Sequence, residues 1–319
     1  MNDSAYLKKL AIPAIAIAML LAPQFAPQTH AKETRPAVRR SSGESYYYYT
    51  AAQMLKKSGN IKGAIELYTK AISLDPESAV LSSDLGYLHL SAGDLSSARA
   101  SLETAIEKDP SYAPPYAALA EIHSAMKDDK AAASYYNKAI ELDKENVKNY
   151  LLLGLLHMKS RDYALGIEAL KKLLVVSPDS VMAYYYLAKI EFDRAEYAKA
   201  AEYYNQALSA NPGFGAIYFE LGVTYELDKK VDKAIEVYKK GLEFMPHDAG
   251  IMTRLGTLYI QQGRLDDALA QSTALEKIEE ARLDAMVKIG LIHFEKKKYA
   301  DAAAKFEEIL KSSPAFHQA

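Results

Sequence analysis

The 319-residue sequence predicts an all-α fold, an α-solenoid built from helix-turn-helix repeats. Three observations support this prediction. Segments such as GAIELYTKAISLDPES (63–78) and KAAEYYNQALSANPGF (199–214) recur at whole multiples of 34 residues. Apolar residues within them recur at three- and four-residue spacing, which is the pattern of one helix face. Short breaks such as SGN, AGD and QGR then separate one apolar stretch from the next, as turns do.

The composition excludes several classes of function. Half of the residues are hydrophobic and a quarter are charged, which is ordinary for a folded protein. The formal net charge of −2 leaves no basic surplus to neutralise a phosphate backbone, which argues against nucleic acid as a partner. The chain has no cysteine, so it can form neither disulfides nor thiolate metal sites. Tryptophan is also absent, whereas tyrosine occurs 24 times.

The first element is an apolar run at residues 10–22, preceded by Lys8 and Lys9. It is too short to cross about 30 Å of hydrocarbon as a helix, and Pro13 interrupts it. The run predicts a signal peptide over residues 1–31, cleaved after Ala31.

Positive charges after this run leave an alternative open. Lys32, Arg35, Arg39 and Arg40 disfavour export of the flanking segment, so residues 1–31 could instead be a short anchor in the inner membrane. With cleavage, the mature chain is expected to be periplasmic or exported. Residues 32–44 are basic and contain Pro and Ser, which predicts a flexible leader.

The repeated part follows this leader. Registered on the 34-residue period, eight units cover residues 45–316 without insertion or deletion, and 317–319 would begin a ninth. Because stacked arrays normally end in a polar cap, we expect further chain or a partner at this end. The units begin at Ser45, Ala79, Ala113, Val147, Val181, Gly215, Ala249 and Leu283.

Several columns recur in phase through the units. A large residue early in the first helix is Tyr48, Tyr116, Tyr150, Tyr184 and Tyr218. A Leu-Gly pair is Leu85-Gly86, Leu153-Gly154, Leu221-Gly222 and Leu255-Gly256. A small residue opens the second helix, at Ala64, Ala98, Ala132, Ala200, Ala234, Ala268 and Ala302. An aromatic follows four places later, and a proline closes most units.

In these columns the chain resembles the tetratricopeptide repeat family, with tyrosine where the family often has tryptophan. The resemblance implies a right-handed superhelical α-solenoid whose concave face is lined by the first helix of each unit. Its implied function is a non-catalytic scaffold that binds protein segments along that groove. Hydrophobic burial also favours a stacked array, because a single hairpin cannot bury both of its apolar stripes and must stack on neighbours.

Unit 7 departs from the pattern. Ser272 replaces the aromatic, Leu275 the small residue and Glu280 the proline, and no helix breaker occurs between 274 and 290. Either the second helix of this unit runs on toward unit 8, or the turn between the units is reshaped. We expect altered curvature or a soft joint near 276–282.

Candidate chemistry is confined to one histidine column. Its members are His89, His123, His157 and His293, and units 6 and 7 carry Tyr225 and Tyr259 in the same column. A column shared with tyrosine favours inter-helix packing with a polar tip over a metal site. No catalytic triad order or phosphate-binding glycine loop is present. The sequence therefore predicts no enzyme, no cofactor and no metal site.

The groove positions are carried over from the family by column. They are Tyr46, Tyr49, Gln53, Tyr87, Glu121, Leu151, Leu155, Met158, Met182, Tyr185, Lys189, Phe192, Phe219, Val223, Glu226, Ile260, Leu291 and Phe294. Units 4 to 6 are the most apolar, and an exposed apolar strip commonly marks a recognition surface. The alternative is that the superhelix coils tightly enough to bury part of the strip, or that the strip is merely tolerated.

The family's other binding mode is a clamp of lysine and asparagine residues around a C-terminal carboxylate. It is not supported, because the required columns hold Tyr49 and Gln53, Ser83 and Tyr87, and Ala117 and Glu121. A chaperone tail is therefore not the predicted partner.

The four tyrosines at 46–49 are predicted to lie on different faces of the first helix, since consecutive helix residues point about 100° apart. Tyr48 takes the packing position, whereas Tyr46 and Tyr49 point into the groove. Tyr47 and Met54 occupy the stripe that packs on a preceding repeat, which unit 1 lacks. We expect the leader, a partner or a second copy to cover this N-terminal packing face.

Two functions follow. The first is a non-catalytic scaffold in the bacterial cell envelope that binds apolar segments of partner proteins in the concave groove. The alternative is a structural or adaptor component of a secretion or exopolysaccharide export assembly. Tyrosine stripes can also stack on sugars, so glycan contact stays open. Self-association stays open as well, because a second copy could cover the N-terminal packing face.

Overall fold

The computed structural model describes residues 43–312, which form sixteen α-helices paired into eight hairpins. The first four hairpins are α1 Gly43–Lys57 and α2 Ile61–Leu74, α3 Ala79–Ser91 and α4 Leu95–Lys108, α5 Pro114–Ala125 and α6 Asp129–Leu142, and α7 Val147–Lys159 and α8 Tyr163–Val176. The last four are α9 Val181–Asp193 and α10 Tyr197–Ala210, α11 Ala216–Leu227 and α12 Val231–Phe244, α13 Ala249–Gln261 and α14 Leu265–Leu275, and α15 Arg282–Glu295 and α16 Tyr299–Ser312. These described residues contain no strand.

The predictions made for the two ends fall partly outside this range. The signal peptide or anchor, the leader up to residue 42 and the start of a ninth unit lie outside the described residues. Gly43 and Glu44, which the sequence assigned to the leader, already belong to α1.

The two helices of each hairpin are joined by a turn of constant geometry. One residue in each turn has a left-handed backbone, with φ between 58° and 81°. The next residue caps the second helix in several hairpins, where the side chains of Asn60, Asp94 and Asp128 accept a bond from a backbone N–H. The left-handed residues are Gly59, Gly93, Lys127, Arg161, Ala195, Lys229, Gly263 and Lys297.

Replacing a non-glycine residue in these turns by glycine should stabilise the protein. Ala195 has φ 58°, and for a residue with a Cβ this conformation costs about 1 kcal/mol. We expect Ala195→Gly to raise the midpoint of thermal unfolding by about 2–4 °C. Gly93→Ala is the matched control, since an added Cβ there meets nothing within 4 Å and only φ is tested. It should lower the midpoint by a similar amount, and a fall for Ala195→Gly would contradict the strain argument.

Stacking between hairpins rests on the small and aromatic columns. The alanines that open the second helices are 0–3% exposed, which lets helices approach closely. The aromatics four places later fill the remaining space, and Tyr68, Tyr204 and Tyr238 are at most 1% exposed. The core clusters cross hairpin boundaries, as where Ala52, Tyr68 and Leu81 pack together. The predicted all-α solenoid is therefore confirmed.

The large residues early in the first helices also tie the units together. The Tyr116 hydroxyl donates to the carbonyl oxygen of Pro110 at 3.0 Å, and Tyr218 donates to that of Pro212 at 2.9 Å. Tyr150 makes the same bond to Lys144 at 3.2 Å. The turn after unit 3 thus keeps its geometry although lysine stands in place of proline.

The first helices lie on the inside of the curve. Besides packing on second helices, α3 contacts α5 directly and α7 contacts α9, whereas the second helices make no comparable contact among residues 43–312. The layer whose members approach one another most closely must form the shorter, concave arc. The concave face is therefore built from first helices, as the resemblance implied.

The joint between units 7 and 8 is reshaped. Helix α14 has 11 residues instead of the 14 found in the other second helices, and it ends at Leu275. A 3-10 turn at Glu279–Ala281 follows, and α15 begins at Arg282. Of the two alternatives, the second helix does not run on, because Leu275 turns into a small core cluster with Met252 and Ala285.

Candidate functional site

The apolar strip predicted in the groove is less exposed than an open recognition surface would be. Phe192, Phe219 and Val223 are half-buried, as are Leu155, Met158 and Met182. Leu151 is 2% exposed and belongs to a core cluster with Tyr186 and Leu187, so it is corrected from a groove residue to a core residue. The direct contact of α7 with α9 explains this burial.

Exposed apolar side chains of the predicted groove are found instead at its two ends. Tyr46 is 62% exposed in the first hairpin, and Leu291 and Phe294 are 55% and 59% exposed in the last. The N-terminal packing face is also open, with Tyr47 65% and Met54 72% exposed. Tyr48 packs on its own second helix, where Lys70 Nζ lies 5.0 Å from its ring centroid.

Between these ends, the concave face carries tyrosine–carboxylate clusters. We call the first cluster site I. The Tyr68 hydroxyl and the Gln53 side-chain amide each donate to Oδ2 of Asp84, both at 3.1 Å. The same amide nitrogen donates to the Tyr49 hydroxyl at 3.2 Å. Site I consists of Tyr49, Gln53, Tyr68 and Asp84.

The second cluster, site II, repeats this arrangement further along the array. Tyr204 and Tyr185 donate their hydroxyls to the two oxygens of Glu220, at 2.5 and 2.9 Å. The Lys189 ammonium lies 3.2 Å from the same carboxylate and 5.5 Å from the ring centroid of Tyr185. Site II consists of Tyr185, Lys189, Tyr204 and Glu220.

Burial controls the ionisation of both sites. In site II, burial raises the pKa of Tyr185 and Tyr204, and the nearby carboxylate of Glu220 raises them further. Burial likewise raises the pKa of Asp84, which hydrogen bonding from Tyr68 and attraction to Lys56 partly offset. These tyrosines stay neutral donors at physiological pH, and their hydroxyls hold the carboxylates in place.

Further carboxylates on the concave face have partners of their own. Tyr238 donates to Glu226 at 2.5 Å, and Arg254 lies 3.4 Å from the other oxygen of Glu226. Glu121 pairs with the Lys148 ammonium at 2.8 Å. The Tyr87 hydroxyl donates to the carbonyl oxygen of Pro114 at 3.0 Å.

The histidine column packs between helices, in agreement with the structural interpretation. The four side chains are 12–18% exposed, and each Nδ1 faces an aspartate oxygen near the start of the following helix. The shortest of these distances is 3.2 Å, from His123 to Asp128. Within residues 43–312, no three His, Asp or Glu side chains are grouped so that they could hold a metal ion. None of the helices in that range is long and apolar enough to span a bilayer.

Sequence reasoning missed Asp84 and Glu220. They share one column of the first helices, next to the columns assigned to the groove. A tyrosine hydroxyl from the preceding second helix reaches each of them across the interface, which spacing within one helix does not indicate. A usable signal was present, since each acidic residue follows a core tyrosine by 16 positions.

Comparison with known proteins identifies the family. Two family models described as tetratricopeptide repeat match residues 55–122 and 90–153, and residues 151–213, 191–249 and 253–315. The chain therefore belongs to the tetratricopeptide repeat family. No curated protein is significantly similar to it in sequence.

Several solved structures share the fold. The C-terminal part of a tetratricopeptide repeat protein from Cytophaga hutchinsonii is 18% identical with a TM-score of 0.58, and the match covers 85% of this chain and 97% of that part. One from Parabacteroides merdae is 18% identical with a TM-score of 0.53, covering 78% and 99%. YrrB, described as having an unusual peptide-binding site, is 22% identical with a TM-score of 0.50, covering 58% and 96%. At these identities the similarity concerns the fold alone. Membership of the tetratricopeptide repeat family, shown by the family models, implies a protein–protein interaction scaffold.

Proposed function

We propose that this protein is a non-catalytic scaffold of the bacterial cell envelope that binds a segment of a partner protein along its concave face. The observation that carries the proposal is the half-buried apolar strip of Leu155, Met158, Phe192, Phe219 and Val223 beside the polar clusters of the first helices. Half-buried apolar side chains still gain from further burial, at about 25 cal/mol per Å² of apolar surface. An apolar partner segment would supply that burial.

The envelope location is supported by the N-terminal sequence. The basic residues and short apolar run of residues 1–31 are typical of a signal peptide, with an uncleaved inner-membrane anchor as the alternative. We adopt the signal peptide, which would deliver the repeats to the periplasm or beyond. The binding partner is then expected to be another envelope or exported protein.

The choice of variants follows from the packing of the strip. Tyr185 donates to Glu220 and Phe219 packs on the Tyr238 ring, so truncating either would disturb the fold as well as the surface. Val223 belongs to none of the core clusters of residues 43–312, which makes it the better position. Val175, on a second helix and 83% exposed, is its matched control.

Photocrosslinking in intact cells tests the proposal. A benzoylphenylalanine at position 223 should crosslink one protein, whereas the same residue at position 175 should not. Val223→Lys should reduce co-purification of that protein about tenfold or more, because the desolvated ammonium costs over 1.4 kcal/mol, and Val175→Lys should leave it unchanged. Equal crosslinking at both positions, or a cytosolic partner, would contradict the proposal.

A second function is favoured by the exposed side chains at the two ends. Tyr46 and Tyr47 at one end, and Phe294 and Tyr299 at the other, are 58–65% exposed. Exposed aromatic rings at array ends suit a structural component of a secretion or exopolysaccharide export assembly, through protein contact or stacking on sugars. Glycan binding by the isolated chain, with no protein crosslinked at position 223, would favour this function over the first.

A further inference from the structure

Sites I and II are two copies of one constellation. Each residue of site II lies four repeat lengths after its counterpart in site I. In both, a core tyrosine donates to an acidic residue of the next unit, and a second tyrosine of the first helix stands beside it. Asp84 and Glu220 are the only acidic residues in their column of the repeat.

The two copies differ in charge. Site II contains its own cation, because Lys189 forms an ion pair with Glu220 at 3.2 Å. Site I has Gln53 in the place of Lys189, and this amide donates one hydrogen bond to Asp84 without supplying charge. Within residues 43–312, no nitrogen of a lysine, arginine or histidine lies within 4.0 Å of the Asp84 carboxylate.

The Asp84 carboxylate lies in surroundings where a paired cation would stabilise its negative charge. This carboxylate is half-buried, and burial raises its pKa, which reflects the cost of holding a negative charge away from water. The hydrogen bonds from Gln53 and Tyr68 both go to its Oδ2. Lys56 is the cation that faces it, and Tyr49, Tyr87 and Tyr112 are its nearby titratable neighbours.

Aromatic rings complete a receptor for a cation. In site II the Lys189 ammonium lies 5.5 Å from the Tyr185 ring centroid, within the range of a cation–π contact. Tyr49 is the counterpart ring in site I, and the exposed ring of Tyr46 lies 6.4 Å from it. A cation entering from the concave face would thus meet a carboxylate and two ring systems.

We propose that site I binds the lysine or arginine side chain of a partner segment, which takes the place that Lys189 occupies in site II. The inference deepens the proposed function, on which it rests, because it requires a basic residue in the segment bound along the concave face. Charge complementarity selects this occupant, since an acidic or purely apolar segment would leave the Asp84 carboxylate without a cation in ion-pair contact.

Defined peptides test the proposal on the full chain. Acetylated Ala-Ala-Xaa-Ala-Ala amides, with Xaa lysine, arginine, norleucine or glutamate, are titrated into protein with 13C-labelled tyrosine rings. The lysine and arginine peptides should shift the Tyr49 and Tyr68 signals in a saturable way. The uncharged norleucine peptide should bind at least about tenfold more weakly, because it lacks the charge-assisted contact. Norleucine binding equal to lysine binding would overturn the proposal.

Reciprocal variants give the sharper comparison. In Gln53→Lys, the chain's own lysine should pair with Asp84. This variant should therefore not bind the lysine peptide at site I, and its helix content should be unchanged. Lys189→Gln removes the internal cation from site II and should create new lysine-dependent shifts of Tyr185 and Tyr204. Asp84→Asn should weaken binding at site I about tenfold. Undiminished binding to Gln53→Lys would overturn the proposal.

The outcomes separate this inference from the proposed function. A partner crosslinked at position 223, together with lysine-peptide binding that Gln53→Lys does not alter, means that the scaffold function holds and the basic-residue site is wrong. Lysine-specific binding at site I without any crosslink at position 223 means that the site holds and the proposed groove in units 4 to 6 is wrong.

Discussion

Gly222→Ala should destabilise the protein by about 2 kcal/mol, although alanine is the better helix former. An added Cβ at this position would overlap the ring of Tyr238, with Cε1 as the nearest atom. The ring cannot withdraw, because it is fully buried, its hydroxyl donates to Glu226 at 2.5 Å and Phe219 packs on it. Overpacking of this kind typically costs 1–3 kcal/mol or more, which outweighs a helix-propensity gain of about 1 kcal/mol.

The matched control is Gly256→Ala, in the same column one repeat later. Because Ser272 replaces the aromatic in unit 7, an added Cβ would meet only Gln271 Cβ at 3.7 Å and Ser272 Oγ at 3.9 Å. This variant should gain up to about 1 kcal/mol. Hydrogen exchange of α11 and α12, with thermal unfolding of both variants, measures the contrast. A Gly256→Ala variant as unstable as Gly222→Ala would show that the glycine column is required by the backbone rather than by the facing ring.

This contrast shows what the sequence predicted well. The repeat register identified the Leu-Gly column and the aromatic column, and it marked Ser272 as the exception. Both are consequences of helix periodicity within one hairpin, where i, i+3 and i+4 neighbours share a face. The hairpins and their stacking were therefore accessible from spacing, whereas for unit 7 the spacing left a continuing helix and a reshaped turn as alternatives.

The groove was harder to predict because it depends on how closely neighbouring units approach. Leu151 lies in a groove column, yet the contact of α7 with α9 buries it. Conversely, Asp84 lies in a column beside the groove, and a tyrosine hydroxyl from the preceding unit brings it into site I. Curvature and the reach of long side chains across an interface determine both outcomes, and the spacing of residues within one helix contains neither.

Leu275→Ala should cause a second large loss of stability, at the joint between units 7 and 8. Leu275 is 1% exposed and closes the small cluster with Met252 and Ala285 across this joint. Removing a buried leucine side chain costs about 2–5 kcal/mol. Because a repeat contacts only its neighbours, this loss should fall mainly on the interface that holds the last hairpin. The remaining contacts at this joint include the ion pair between Lys305 and Glu276 at 3.0 Å, which contributes little stability on its own.

We therefore expect the last hairpin, α15 and α16, to open independently in Leu275→Ala. Amide hydrogen exchange there should accelerate about 30-fold or more, while α1 to α4 change little, since 2 kcal/mol corresponds to a factor of that size. Leu173→Ala is the matched control, because Leu173 occupies the same column with the same 1% exposure, but four hairpins follow its unit whereas one follows unit 7. It should weaken the middle of the array without releasing the last hairpin selectively. If both variants accelerate exchange uniformly along the chain, the joint is as cooperative as the others and the soft-joint prediction is wrong.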